Sequence, residues 1–198
     1  MSNRLFPTDI LFEQRLLSCC GLYRNRLDGE WGPRTDAAER AFIAECDALA
    51  QAEGRFDDRS ERNIRTLQTA AQKLCRRSLK RLITAGFDAR VISGTRTYAE
   101  QTAIYRQGRF GNPGPIVSRA KAGSSWHNFG LAWDIGLFDN GRYLTSGNQY
   151  RAASAHAKLD GIEWGGDWRS FKDEPHYQVP GAHTTIASVR QFFEAGGR

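Results

Sequence analysis

At 198 residues the chain can bury one substantial core with, at most, a small accessory module. Hydrophobic residues make up 40% and charged residues 25%, an ordinary globular balance. No apolar run approaches the roughly 18 residues of a membrane span, which argues against stable membrane insertion. A net charge of +6 favours anionic partners, but nucleic acid, envelope polymers and acidic lipids all qualify, so charge alone selects none.

The opening stretch, Met1 to Pro7, has none of the long apolar segment of a secretory leader, so the expectation is synthesis in the cytoplasm without a signal peptide. Residues 8–20 read as a helix that Thr8 can cap, with Ile10, Leu11, Leu16 and Leu17 as a rough apolar stripe and Gly21 as the stop. Asp28-Gly29 and Gly32-Pro33 are turn chemistry, and Ala37, Ala38, Ala41 and Phe42 then recur at helical spacing. This defines a helical segment over residues 1–52, followed by a polar hinge and a larger unit over 53–198. Cys19, Cys20, Cys46 and Cys75 show no CxxC spacing and read as small buried hydrophobes.

Ser60 is expected to open one long helix ending at Gly86, with Ile64, Leu67, Ala71, Leu74, Cys75, Leu82 and Ile83 on its apolar side. Arg62, Arg65, Lys73, Arg76, Arg77, Lys80 and Arg81 occupy the rest and read as a solvated face. Without a helix-turn-helix, RNA-recognition or zinc-finger signature beside it, this basic face is not assigned to nucleic acid. Residues 89–93 form a short strand, and Thr97 with Glu100 makes a capping box for a helix from about Tyr98 to Gly108. Arg96 thus falls just before free helical N–H groups, where positive charge and helix dipole favour an anion, and Gln101 lies in the first turn. Residues 109–123 begin as a Gly/Pro loop expected to border a cleft.

Leu131, Trp133, Ile135 and Leu137 alternate with Ala132, Asp134 and Gly136, the period of a half-buried strand with one carboxylate between two small neighbours. The Gly- and Ser-rich approach at 123–125 can bend to bring His127 back over that cleared face. A His and an Asp converging there suggest two ligands of a divalent metal, with zinc favoured by the donor types. Of the four histidines, His176 is a candidate for a third ligand, in a strand-like run where Asp173, three residues earlier, is close enough to stand beside a metal and take a proton from water. His156 and His183 have no such surroundings. Asn140-Gly141 signals a hairpin and residues 150–159 a helix. Trp164, Trp168 and Phe171 flank Gly165-Gly166, where aromatics either wall a peptide groove or pack into the core.

Ser125-x-His127-x-x-Gly130-x-Ala132-x-Asp134, then Asp173-x-x-His176, resembles the zinc peptidases of peptidoglycan, the D-alanyl-D-alanine carboxypeptidase and L-alanyl-D-glutamate peptidase family that includes phage endolysins. The match extends upstream through Ser93-Gly94-Thr95-Arg96-Thr97-Tyr98-Ala99-Glu100-Gln101 and takes in Glu163-Trp164-Gly165-Gly166-Asp167-Trp168, so four ordered blocks cover residues 91–179. Residues 28–35 resemble the loop of a small peptidoglycan-binding module, in a shortened form.

The resemblance implies an α+β fold, a small antiparallel sheet carrying the site with helices packed on it. It also implies one Zn2+ on His127, Asp134 and His176, with Asp173 as general base. Arg96, with Gln101 and Ser125, would bind substrate and polarise its carbonyl or carboxylate, and Trp168 is a candidate substrate contact. The expected activity is hydrolysis of peptidoglycan stem peptides by a monomer, most simply as a lytic L-alanyl-D-glutamate endopeptidase reaching the cell wall by holin-type release or secretion. The alternatives are a D-alanyl-D-alanine carboxypeptidase and, more distantly, a non-catalytic zinc-containing wall-binding protein.

Overall fold

The computed structural model describes residues 4–145, 147–183 and 185–198; residues 1–3, which open the stretch read above for a leader, lie outside the described residues. The chain runs α1 (Ile10–Cys19), α2 (Pro33–Glu53), α3 (Asp58–Ile64), α4 (Thr69–Thr84), β1 (Asp88–Ser93), α5 (Tyr98–Arg106), a 3₁₀ turn (Trp126–Phe129), β2 (Ala132–Asp139), β3 (Arg142–Leu144), α6 (Asn148–Ala157), β4 (Glu163–Trp164), β5 (His176–Gln178) and α7 (Ile186–Glu194). The expected α+β class is borne out. The antiparallel sheet is ordered β1-β2-β5-β4, with β3 pairing the far half of β2. Asn140 (φ 49°) and Gly141 (φ 77°) make the tight β2–β3 turn that the Asn-Gly pair foretells.

One sheet face is apolar, as the alternation requires. Val91, Trp133, Ile135, Leu137 and Tyr177 bury against Ile64, Leu67, Leu79 and Leu82 of the helix layer, with Tyr150 and Ala153 of α6 completing the core. The opposite face carries Asp134. It is not open along its length, because the side chains of Ile92 and Tyr143 close over Gly136 and would meet a Cβ there at 2.8 and 3.1 Å.

Three local expectations are corrected. Asp9, not Thr8, caps α1, its Oδ1 accepting from the Phe12 N–H at 3.0 Å. The single helix expected from Ser60 is two, α3 and α4, parted at residues 65–68. There the Gln68 N–H donates to the Gly130 carbonyl (2.9 Å) and its Nε2 to the Phe129 carbonyl (2.7 Å), while Thr66 Oγ1 accepts from the Thr95 N–H (2.9 Å). Long-range bonds to the two segments flanking the site thus outcompete helix propagation. Finally, Arg76 is not on the solvated face: it is fully buried, its Nη1 and Nη2 donating to Glu61 Oε1 and Oε2 at 2.7 and 2.8 Å, whereas Ile83 of the expected apolar side is exposed.

The first two helices share a second core with elements from the far end of the chain. Phe12, Leu16, Leu17 and Phe42 pack with Phe129, Val189 and Phe193. Buried Gln14 organises the Asp28-Gly29 turn, accepting from both backbone N–H groups and donating to Asp28 Oδ1 and the Glu30 carbonyl. Phe129 belongs to the 3₁₀ turn that presents His127, so this core supports the turn from behind.

Glu61→Ala leaves the Arg76 guanidinium buried without its carboxylate and is expected to lower unfolding free energy by about 3–5 kcal/mol in urea titrations. Glu53→Ala, which removes the carboxylate partner of exposed Arg77, should have a far smaller effect because solvent screens that pair. Equal effects would contradict this assignment of the buried pair.

Candidate metal centre

Three side chains meet at the end of the sheet. Asp134 lies directly opposite Ser93 of β1 and His176 of β5 in the strand register, so pairing alone sets carboxylate and imidazole side by side. His127 arrives from the 3₁₀ turn, which ends at Gly130 in the left-handed region (φ 69°); a Cβ there would also strike Leu16 Cδ1 at 2.7 Å. His127 Nε2, His176 Nδ1 and Asp134 Oδ1 stand 3.2, 3.2 and 3.3 Å apart. A tetrahedral ion with bonds of about 2.05 Å requires donor separations of about 3.3 Å, so the triangle has the right size for one.

Hydrogen bonding behind the triangle fixes which nitrogens face inward. His127 Nδ1 lies 2.7 Å from the Gly94 carbonyl, which can only accept, so the proton sits on Nδ1 and Nε2 offers a lone pair. His176 Nε2 is 3.0 Å from Gln178 Oε1, whose own Nε2 donates to Glu163 Oε2 at 2.9 Å, which leaves Nδ1 as the inward donor atom. Two lone pairs and an anionic oxygen converging in a buried place lack a positive centre, and a divalent cation supplies one. Burial holds the His127 ring below the usual imidazole range. At His176 burial acts in the same sense but is outweighed by bonding to Asp134, and the value is raised. Burial likewise opposes charge on Asp134, yet His127, His176 and Arg96 together keep it well below the carboxylate range.

Arg96 Nη2 donates to Asp134 Oδ2 at 2.6 Å and to Ser93 Oγ at 2.8 Å, and Nε reaches Ser93 Oγ at 3.1 Å. It therefore orients the carboxylate so that Oδ1 turns to the histidines. Its backbone is tied to the turn by Arg96 N–H to the His127 carbonyl (3.0 Å) and by Asn128 Nδ2 to the Arg96 carbonyl (2.9 Å). Around the triangle opens a cleft of about 860 Å³ whose lining includes Arg96, Ser125, Trp168 and Asp173. Asp173 is half-buried, and burial together with the negative charge of Asp134 raises its pKa above the ordinary 3.8, against the pull of His176 and Arg96. Gly165 makes its seat: a Cβ there would stand 2.4 Å from the Asp173 carbonyl oxygen, and the Gly165 carbonyl accepts from the Asp173 N–H at 3.1 Å. Trp168 packs over His176 with ring centroids 5.1 Å apart, while Trp164 goes into the core, so the two tryptophans take the two open alternatives separately.

Gln101 departs from expectation. It is fully buried and lines no part of the cleft; its Nε2 donates to Ser118 Oγ (3.1 Å) and the Ala120 carbonyl (2.8 Å). One turn into α5, it faces the 118–120 loop and not the donor triangle. His156 lies exposed against Phe87 and His183 against Phe192, away from the triangle. Sequence reasoning missed Gln178, although His176-x-Gln178 in a strand places both on one face, and missed the Gly94 carbonyl, which no side-chain pattern marks.

A family model described as D-alanyl-D-alanine carboxypeptidase matches residues 118–179. Over 104 residues the chain is 38% identical to the peptidoglycan L-alanyl-D-glutamate endopeptidase CwlK of Bacillus subtilis (strain 168), covering 48% of this chain and 62% of that protein. A solved structure, the L-Ala D-Glu endopeptidase ChiX of Serratia marcescens, aligns at 28% identity over 64% of this chain and 90% of that one, with a TM-score of 0.44. The three donors and Asp173 all fall inside the segment that the family model matches, and the chain spans less than two thirds of the length of the curated relative it resembles.

Proposed function

We propose that the protein is a zinc-dependent peptidase that hydrolyses the L-alanyl-D-glutamate bond of peptidoglycan stem peptides. The observation that carries this reading is the donor triangle, 3.2–3.3 Å on a side, with a carboxylate of raised pKa in the same cleft. Support for the bond comes from CwlK, whose name states that specificity. A trimming D-alanyl-D-alanine carboxypeptidase has only the description of the family model in its favour. A purely structural metal would need no polar cleft and no neighbouring proton acceptor. Access to the wall is by release or secretion, and the working unit is the monomer.

His127, Asp134 and His176 would hold the ion, which when bound supplies a Lewis acid that lowers the pKa of a coordinated water towards 7. Asp173, half-buried in the same cleft, takes the proton of the attacking water and returns it to the departing amine. Arg96, with Nε and Nη2 committed to Ser93 and Asp134, keeps Asp134 oriented and has Nη1 to offer developing negative charge on the carbonyl oxygen. Trp168, on the lining of the cleft, packs against the His176 ring and offers substrate an aromatic contact there.

Mass spectrometry of muropeptides after digestion should show new termini at the L-alanyl-D-glutamate bond, abolished by a chelator and restored by zinc. Release of terminal D-alanine alone would instead establish the carboxypeptidase. Asp173→Asn should retain zinc while turnover falls by about 10²–10⁴-fold, and near-normal turnover would remove Asp173 from its role. In the zinc-free protein the Asp173 carboxyl should titrate above the ordinary 3.8, followed by its NMR resonance, and a value at or below 3.8 would contradict its burial beside Asp134. Gln178→Ala, which frees the outer nitrogen of His176, should weaken zinc affinity by about 10–100-fold in a competition titration; unchanged affinity would deny it that part.

A further inference from the structure

We infer that Arg119 is a specificity-determining residue that reads a free carboxylate on the substrate beside the scissile bond, an inference resting on the endopeptidase reading above. Arg119 lines the same cleft as the metal triangle and is exposed. Its two cationic neighbours there have other tasks, Arg96 keeping only Nη1 free, which the reading above gives to the carbonyl oxygen. Arg96 is bonded to Asp134 and Ser93, and Arg109 Nη1 donates to the Tyr105 and Ser118 carbonyls at 2.6 and 2.9 Å. Among the described residues no carboxylate pairs with Arg119 and no hydrogen bond satisfies its guanidinium; it lies over the Phe171 ring, 5.0 Å from the centroid.

The backbone on both sides of Arg119 is nevertheless tightly held. Gln101 Nε2 bonds Ser118 Oγ and the Ala120 carbonyl, Ser118 Oγ also accepts from the Ala120 N–H (3.1 Å), and Arg109 takes the Ser118 carbonyl. An exposed loop of Gly, Pro and small residues has no need of a fully buried glutamine for its own sake. The clamp fixes where the Arg119 side chain leaves the backbone, and Phe171 provides a flat apolar rest for a planar cation. A guanidinium so presented has its donor fork available for bidentate pairing with a carboxylate. In an L-alanyl-D-glutamate unit joined through the side-chain carboxyl of the glutamate, the residue on the leaving side carries a free α-carboxylate close to the bond that breaks. Gln101 is then a positioning residue, acting through the loop.

The test compares two synthetic stem peptides, one with that α-carboxylate free and one with it amidated, using the full-length zinc-loaded protein. The wild type should prefer the free acid by about tenfold in kcat/KM, the factor that one charge-assisted pair worth roughly 1.4 kcal/mol supplies. In Arg119→Ala the ratio should collapse towards one, chiefly through KM for the acid, and Arg119→Lys should restore part of it. Zinc content and melting temperature, measured alongside, report whether the variants keep the wild-type fold. A ratio that is the same in wild type and Arg119→Ala overturns the assignment to Arg119 while leaving the endopeptidase intact. A wild type that cuts neither peptide overturns the endopeptidase reading and this inference with it.

Discussion

Two imidazole lone pairs and an ionised carboxylate oxygen held about 3.2 Å apart repel one another, and the fold is arranged to resist that repulsion. Each ligand is held by a different device. Strand pairing places Asp134 opposite His176, the Gly94 carbonyl grips the outer nitrogen of His127, and the Arg96 guanidinium offsets the charge of Asp134 from behind. A neighbourhood organised in this way before a cation arrives spends little of the binding energy on rearrangement.

The helix layer acts on the same point from a distance. The break between α3 and α4 looks, from propensity alone, like a flaw in a good helix. It is the place where Thr66 and Gln68 leave helical bonding to take hold of Thr95 and Gly130, the segments carrying the Gly94 carbonyl and His127. Gly94 itself sits against α3 so closely that a Cβ would stand 2.3 Å from the Asn63 carbonyl. The buried Arg76–Glu61 pair then locks the two helices on either side of the break. Packing in the helix layer is thereby converted into placement of a metal ligand.

Much of this was legible in the residues. The alternation around Asp134, the Thr97–Glu100 capping box and the Asn140-Gly141 turn are short-range patterns, and each formed as read because tertiary contacts agree with local preference. The failures share the opposite cause. Arg76 reads as surface because its partner is 15 residues away. Gln101 reads as a substrate contact because its place beside Arg96 in the chain says nothing of which side of α5 faces the cleft. Arg119 carries no motif at all, and only its unpaired guanidinium at the mouth of the cleft draws notice. Side chains committed by long-range hydrogen bonds are invisible to spacing, and here they separate residues that face the cleft from residues that hold its walls.

X-ray absorption at the zinc edge, on protein loaded with one equivalent of the ion, addresses the triangle itself. Two imidazole nitrogens and one carboxylate oxygen, all at about 2.0–2.2 Å, with a solvent oxygen as fourth ligand, are expected. A sulfur in the first coordination sphere would contradict it, since Cys19, Cys20, Cys46 and Cys75 all lie outside this cleft, as would a single imidazole or no tightly held zinc.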